Sequence, residues 1–197
     1  MLIRRGRSRF EIGTERLVLR PPELPDFEAW AILRRESRQF LQPWEPRWSP
    51  DHLTSRAFRN RVVWADRSIR QGEAIPLFLT LRETGAVVGG LTLSNIRREP
   101  ADAGTLGYWT GARHARQGYM REALDALAQH AFGEMRLSRL EAACLPDNLA
   151  SRALLERCGF KYEGVAQAYL QIDGRWRNHV LYAALRPDRR GQVHADA

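Results

Sequence analysis

Long apolar runs, cysteine and lysine are scarce in this 197-residue chain. No stretch of about 18 uninterrupted apolar residues is present, so the sequence offers no membrane-spanning helix. The basic N-terminus lacks the apolar segment of a secretory signal. Two cysteines, Cys144 and Cys158, are too few for a disulfide scaffold or, by themselves, for a four-ligand zinc site. These absences predict a cytoplasmic protein with reduced thiols and no bound metal.

Lysine is nearly absent: Lys161 is the only one, and the other 30 of the 31 basic residues are arginine. The formal net charge of +8 favours an anionic partner, such as nucleic acid, a phosphorylated cofactor or a ribonucleoprotein. The basic residues are scattered, however, and no run of five or six like charges occurs. Direct nucleic-acid binding is therefore not expected.

The length fits one domain, and 44% hydrophobic residues supply a sizeable core. We expect a basic tail at 1–10, a single domain at 11–186 and a second tail at 187–197. Periodicity and turn residues predict an α/β fold in the order β-α-α-β-β-β-α-β-α-β-β. The expected sheet is mixed but mostly antiparallel, with six to seven strands, about four flanking helices and one β-α-β crossover.

Turn and cap residues place the elements along the chain. Asp173-Gly174 is a strong hairpin signal between the two final strands, at 162–172 and 175–185. Asp26 is expected to cap the first helix. Ser49, with Pro50 at the first helical position, is expected to begin the second helix, which ends near Gly72.

Arginine is concentrated in segment 113–121, between the third consecutive strand and a helix. Free backbone amides at a helix start, at the positive end of the helix dipole, bind anions. Gly118 lets the backbone approach a phosphate closely, and the arginines add counter-charge. The segment is neither a Walker loop nor a G-x-G-x-x-G motif. A basic loop without a ligand is the structural alternative.

A second segment begins at Asn148 and ends at Gly159-Phe160. As structure, Asn148 caps a helix and Ser151 helps to satisfy the amides of its first turn. As function, the Ser151 hydroxyl at a helix start could protonate a leaving thiolate. The segment alone leaves both interpretations open.

Together, in this order, the two segments resemble the GNAT superfamily of acetyl-CoA-dependent N-acetyltransferases. Within it the chain is similar to the RimJ-type ribosomal-protein-alanine N-acetyltransferases. The resemblance spans residues 12–188 and includes the stretches at 14–17, 40–46, 106–108, 120–124 and 169–181. It implies a GNAT fold with acetyl-CoA as the acetyl donor, a protein N-terminus as acceptor, and no metal. A monomer or a dimer would be consistent with it.

The resemblance also implies the site residues. The donor is expected to contact Tyr108, Trp109, Thr110, Arg113, Arg116, Gln117, Gly118, Tyr119, Met120, Arg121, Asn148, Ser151 and Arg152. A neutral amine attacks the thioester directly, and Ser151 protonates the departing thiolate, so neither cysteine is needed as a nucleophile. We assign the acceptor wall to Trp44, Asn95 and Tyr169. Trp44 closing a loop over the core and Asn95 satisfying a turn are the structural alternatives.

Two features depart from the GNAT pattern. The first glycine of the loop falls on Arg116, so the usual loop backbone cannot be assumed. The glutamate that serves as general base in many GNAT enzymes falls on Thr105, and the position used near the final hairpin falls on Leu170. The general base is thus missing from both expected places.

The missing base favours an α-amine over lysine as acceptor. At pH 7.5 about a quarter to two-fifths of α-amines are neutral, but only about 0.1% of lysines. An enzyme without a strong base therefore loses little on a protein N-terminus. Two other functions stay open: acetylation of a small amine by the same fold, and non-catalytic binding to a ribosome or RNA through the net positive charge, which predicts salt-sensitive binding and no acetyl-CoA site.

Overall fold

The computed structural model describes residues 10–189 and consists of one sheet covered by helices on both faces. The strands are β1 (Ile12–Gly13), β2 (Leu17–Arg20), β3 (Ile75–Leu81), β4 (Val87–Arg97), β5 (Ala103–Thr110), β6 (Arg139–Cys144), β7 (Lys161–Ile172) and β8 (Arg175–Leu185). The helices are α1 (Phe27–Glu36), α2 (Arg38–Leu41), α3 (Ser55–Gln71), α4 (Tyr119–Gly133) and α5 (Leu149–Arg157). Residues 1–9 and 190–197 of the two predicted tails lie outside the described residues.

The eight strands follow the order β1-β2-β3-β4-β5-β6-β8-β7. Every neighbouring pair is antiparallel except β5 and β6, which α4 connects as the predicted crossover. The predicted fold class is therefore confirmed. The structure adds the two-residue β1 and the four-residue α2, which are too short to produce a periodic pattern in the sequence.

Two predicted helix caps are wrong. Helix α3 begins at Ser55, and Thr54 caps it by accepting a bond from the Ala57 amide at 3.2 Å. Ser49 instead sits in a preceding turn, where its hydroxyl binds Asp51. The Gly72 terminus is confirmed, with a left-handed φ of 68°.

Asp26 stands at the start of α1 without forming the predicted capping bond. Its carboxylate accepts two bonds from Arg20, at 2.8 and 2.7 Å, and one from the Glu23 amide. A bidentate arginine pair is stronger than a neutral capping bond, so the carboxylate is held on the preceding turn.

The core divides into two clusters, one on each face of the sheet. The larger lies under α4 and α5, and the smaller packs Trp30, Leu33 and Phe58 of α1 and α3 against the opposite face. Side chains alternate between the faces along β5, so Tyr108 packs on the larger cluster and Trp109 on the smaller. Among the described residues, no helix is both long and apolar enough to cross a membrane.

Candidate active site

Strand β5 separates from β6 half-way along its length. Ala103–Leu106 pair with Arg139–Ala142, whereas the remaining residues of β5 pair only with β4. The last two residues of β6 pair only with β8. The two parallel strands thus diverge toward their carboxyl ends. The edge of Gly107–Thr110 that faces β6 is left free to bind an extended ligand through the backbone.

The loop after β5 presents free amides at the start of α4. It passes through a 3₁₀ turn at Ala112–His114 and enters the helix at Gly118. The backbone N–H groups of Arg116, Gln117 and Gly118 have no acceptor among the described residues. A surface cavity of about 560 Å³ touches Gly118 from the side of Arg16 and is also lined by Glu15, Arg121, Glu122 and Asp125. These amides at the positive end of a 15-residue helix suit an anion.

Arg116 takes a left-handed backbone conformation, with φ of 62°, two residues before Gly118 at 83°. A non-glycine residue costs about 1–2 kcal/mol in this region. The arginine therefore adopts the conformation that glycine favours, and the loop turns sharply despite the substitution. Backbone strain of this kind is found at functional sites where the surroundings hold it in place.

The loop arginines differ in how their charge is balanced. Arg113 lies 3.2 Å from the Glu36 carboxylate, and Arg121 lies 3.8 Å from Asp125. Arg116 is exposed and makes no ion pair with any residue that the structure describes. Its positive charge is therefore not balanced by a carboxylate, and it can pair with a bound anion.

Ser151, in the first turn of α5, lies beside the split, in contact with Tyr108 of β5 and Cys144 of β6. Its amide donates to the Asn148 side chain at 3.0 Å, so Asn148 is a helix cap as predicted. The Ser151 hydroxyl makes no capping bond among the described residues and lies 2.7 Å from the Tyr108 hydroxyl. This contact joins the free half of β5 to α5.

Burial perturbs the groups around Ser151. Burial raises the pKa of Tyr108, and the hydrogen bond to Ser151 lowers it by less. The phenol therefore stays protonated at neutral pH. Burial likewise raises the pKa of the Cys144 thiol, which also contacts Ser151. Cys158 packs against the larger cluster, and burial raises its pKa to about 12. Neither thiol is activated as a nucleophile.

Two of the predicted donor-binding residues point away from the split. Trp109 packs on the smaller core cluster, and Met120 is buried in the larger one. Only their backbone groups are available to a ligand. Arg152 is held at 3.3 Å from the Tyr182 hydroxyl and at 3.2 Å from the Pro146 carbonyl.

A family described as the acetyltransferase (GNAT) domain matches residues 16–161. The chain belongs to the GNAT acetyltransferase family. It is 35% identical to the [ribosomal protein uS5]-alanine N-acetyltransferase of Escherichia coli strain K12, over 90% of this chain and 91% of that protein. It is 30% identical to the probable N-acetyltransferase YjcK of Bacillus subtilis, over 87% and 95%.

Solved GNAT structures superpose over most of the chain. Mycobacterium smegmatis RimJ in complex with CoA-disulfide has a TM-score of 0.85 at 29% identity, covering 94% of this chain and 91% of that one. The ribosomal-protein-S5-alanine acetyltransferase of Vibrio fischeri has a TM-score of 0.84 at 27% identity, covering 92% and 100%. The predicted family and enzyme class are thereby confirmed.

The loop after α2 meets the tip of the β7–β8 hairpin. The Asp173 amide donates to the Glu45 carbonyl at 3.0 Å, and Arg47 lies 3.8 Å from the Asp173 carboxylate. Trp44 in this loop is 37% exposed. Tyr169 on β7 is also exposed, with its ring edge-on to His179.

Asn95, the third predicted acceptor residue, lies apart from Trp44 and Tyr169. It has a positive φ of 50°, where the pairing of β4 with β5 is interrupted, and its amide donates to the Thr105 hydroxyl at 3.5 Å. No contact joins the three side chains within residues 10–189. The structure therefore brings together the loop and the hairpin, and places Asn95 where the pairing of β4 with β5 is interrupted.

The sequence did not reveal a buried arginine beneath the loop after α2. Arg34 of α1 is only 4% exposed and lies between the rings of Trp48, at 4.4 Å, and Trp109, at 4.7 Å. It forms two bonds to Glu45, at 2.8 and 2.6 Å, and so ties the loop to the free half of β5. Burial and nearby Arg34 lower the pKa of His52 to about 4, which keeps this imidazole neutral.

Thr105 and Leu170, the positions where a general base was expected, provide no carboxylate. Thr105 lies opposite Glu141 of β6, but that carboxylate is taken up by Arg97 at 2.5 Å and Arg139 at 2.9 Å. His179 is buried, with its Nδ1 3.0 Å from the Arg177 carbonyl. The part of the chain that the structure describes holds no group of three or more metal-ligating side chains.

Proposed function

We propose that this GNAT protein transfers the acetyl group of acetyl-CoA to the N-terminal α-amine of a ribosomal protein that begins with alanine. The similarity to the Escherichia coli enzyme supports the substrate, and the CoA-disulfide in the Mycobacterium smegmatis relative supports the donor. The observation that carries the proposal is the free edge of Gly107–Thr110, which leads to the free amides of residues 116–118. An extended acyl carrier with a diphosphate fits both features.

The diphosphate is assigned to the amides of Arg116, Gln117 and Gly118, together with the first-turn amides of Tyr119, Met120 and Arg121. The unpaired charge of Arg116 supplies the nearest counter-charge, whereas Arg113 and Arg121 already face carboxylates. Met120 contributes through its backbone alone.

The pantetheine arm is assigned to the free edge of β5, from Tyr108 through Thr110. Backbone N–H groups there would also donate to the thioester oxygen as it becomes an oxyanion. One such donor contributes about 3 kcal/mol of transition-state stabilisation in known enzymes. Trp109 takes part through its backbone only, because its side chain packs against Arg34.

Ser151 is assigned as the group that protonates the departing CoA thiolate. Asn148 fixes the first turn of α5, and the 2.7 Å contact with Tyr108 orients the Ser151 hydroxyl. Because Tyr108 stays protonated, it can donate a hydrogen bond to the Ser151 oxygen while Ser151 gives its proton to the thiolate. The proton that the attacking amine releases then restores the neutral serine. Arg152, one residue on, adds positive charge near the developing thiolate. A thiol has a pKa of about 8.5, so this proton helps the reaction modestly.

The acceptor is assigned to the face formed by the loop after α2 and the β7–β8 hairpin, with Trp44, Asn95 and Tyr169 as contacts. No carboxylate is free at Thr105 or Leu170 to deprotonate a lysine, which supports an α-amine that is partly neutral at physiological pH. A cytoplasmic location follows from a ribosomal substrate.

The test is acetyl transfer to three acceptors, read by mass spectrometry. The first is a peptide with a free N-terminal alanine and one internal lysine, the second is the same peptide with a blocked N-terminus, and the third is a polyamine. We expect one acetyl group on the α-amine of the first peptide and none on the other two. Acetylation of the blocked peptide or of the polyamine alone would contradict the proposal.

A further inference from the structure

The segment Thr14-Glu15-Arg16, far from the loop in sequence, is bonded to the first turn of α4. The Thr14 hydroxyl and the Arg16 amide both donate to Oε1 of Glu122, at 2.5 and 2.8 Å. The Arg16 guanidinium donates through Nε to Oε2 at 2.7 Å. Three donors thus fix one carboxylate, four residues after Gly118.

Arg16 also holds the loop itself. Its Nη1 donates to the Gln117 carbonyl at 3.0 Å, and its guanidinium lies 4.7 Å from the centre of the Tyr119 ring. A Cβ placed on Gly118 would lie 3.2 Å from the Arg16 Nη2. The arginine therefore lies against the back of the loop.

The Gln117 carbonyl and the Gly118 amide belong to one peptide plane. In a trans peptide the C=O and the following N–H point in opposite directions. Anchoring the carbonyl to Arg16 therefore turns the Gly118 N–H away from Arg16. The same anchor restrains the loop next to Arg116, whose left-handed backbone is otherwise unfavourable.

We infer that Thr14, Arg16 and Glu122 form a brace that aims the Gly118 amide at the CoA diphosphate, with Arg16 acting as a positioning residue. The inference rests on the proposed function, since it concerns the same donor site. The charge of Arg16 is already balanced by Glu122, so its contribution comes through geometry and not through direct attraction of the anion.

Glu122→Gln separates geometry from charge, because the two explanations predict opposite signs. Removing a carboxylate near an anion site should tighten CoA binding if the electrostatic field alone matters. The brace predicts the reverse, since the amide NH₂ of glutamine cannot accept the bond from Arg16. We expect the Kd for CoA, measured by titration calorimetry, to rise about tenfold.

Arg16→Gln should weaken CoA binding to a similar extent, and Thr14→Val, which removes one hydroxyl, by less. Arg186→Gln is the matched control: Arg186 also binds a carboxylate, Asp188 at 2.7 Å, and a carbonyl, Arg136 at 3.3 Å, but away from the loop. It should leave the Kd unchanged.

A positioning role is distinguished from loss of folded protein by the kinetic constants. The brace variants should raise KM for acetyl-CoA and leave KM for the acceptor peptide unchanged, whereas partial unfolding would lower kcat alone. Equal or tighter CoA binding by Glu122→Gln would overturn the brace. Absence of CoA binding by the unmodified protein would overturn the proposed function instead.

Discussion

The hydroxyl oxygens of Tyr108 and Ser151 lie 2.7 Å apart and connect the free half of β5 to the first turn of α5. Residues 43 positions apart in the sequence thus meet where the two parallel strands diverge. The contact gives Ser151 a buried, protonated partner in Tyr108. The Ser151 hydroxyl faces Tyr108 and does not cap the helix.

Ser151→Ala and Tyr108→Phe each remove one oxygen of this pair. Both should lower kcat by about tenfold, a small effect for general acid catalysis because the CoA thiolate is already a fair leaving group. KM for acetyl-CoA should change by less than twofold. Steady-state kinetics with both substrates varied provides the measurement, and an unchanged kcat in Ser151→Ala would remove Ser151 from catalysis.

Gly118→Glu should abolish CoA binding in a calorimetric titration. The side chain would be forced into a left-handed backbone, would meet Arg16, and would put a negative charge at the anion site. Gly72→Glu is the control, because Gly72 is also left-handed but a Cβ there meets nothing within 4 Å. Binding by Gly118→Glu that matches the control would move the diphosphate elsewhere.

Arg116→Gly has two separate effects: it relieves the strain of the left-handed backbone, and it removes the positive charge of the side chain. Relief of the left-handed strain should stabilise the fold by about 1 kcal/mol, which raises Tm by about 2–4 °C in a chain of this size. Loss of the unpaired cation should weaken CoA binding by several-fold. Thermal melts and calorimetry on the same preparation test both effects. A lower Tm would show that the arginine side chain stabilises the loop by contacts of its own.

The contribution of Glu122 to stability should vanish in acid. Partial burial raises its pKa, but the hydrogen bonds from Thr14 and Arg16 outweigh this, so the pKa lies below the ordinary 4.5. A carboxylate whose pKa is lowered by folding stabilises the fold above its unfolded pKa, and this stabilisation is lost as the pH falls through the folded pKa. Glu122→Gln should therefore have a Tm a few degrees lower at pH 7. As the pH falls below 4.5 the gap between the two melting temperatures should narrow, and a gap that stays constant as the pH is lowered would contradict the assignment.

Much of the fold could be predicted because its signals are local. Asp173-Gly174 predicts the last hairpin, and Gly72 predicts the end of α3. Both features depend on local backbone conformations that glycine adopts readily. The start of α3 was missed for a physical reason. Ser49-Pro50 satisfies the rules for a helix start, but the chain makes a separate turn there and Thr54 provides the cap.

The site was predicted less completely, because its contacts are long-range. The spacing within segment 113–121 indicates an anion loop, yet nothing nearby shows that Arg16 holds it. Arg34 would be expected on the solvent side of an amphipathic helix, and only the folded chain places it between Trp48 and Trp109. The conformation of Arg116 also escaped prediction, since arginine rarely adopts a positive φ.

In the proposed function, free amides around residue 118 bind the diphosphate of CoA while the acyl arm lies along the free half of β5. Backbone amide NMR of the ¹⁵N-labelled protein during a CoA titration tests it most directly. We expect the largest shifts at Arg116, Gln117 and Gly118, followed by Gly107–Thr110. Saturable CoA binding that leaves these amides unshifted and moves others would contradict it.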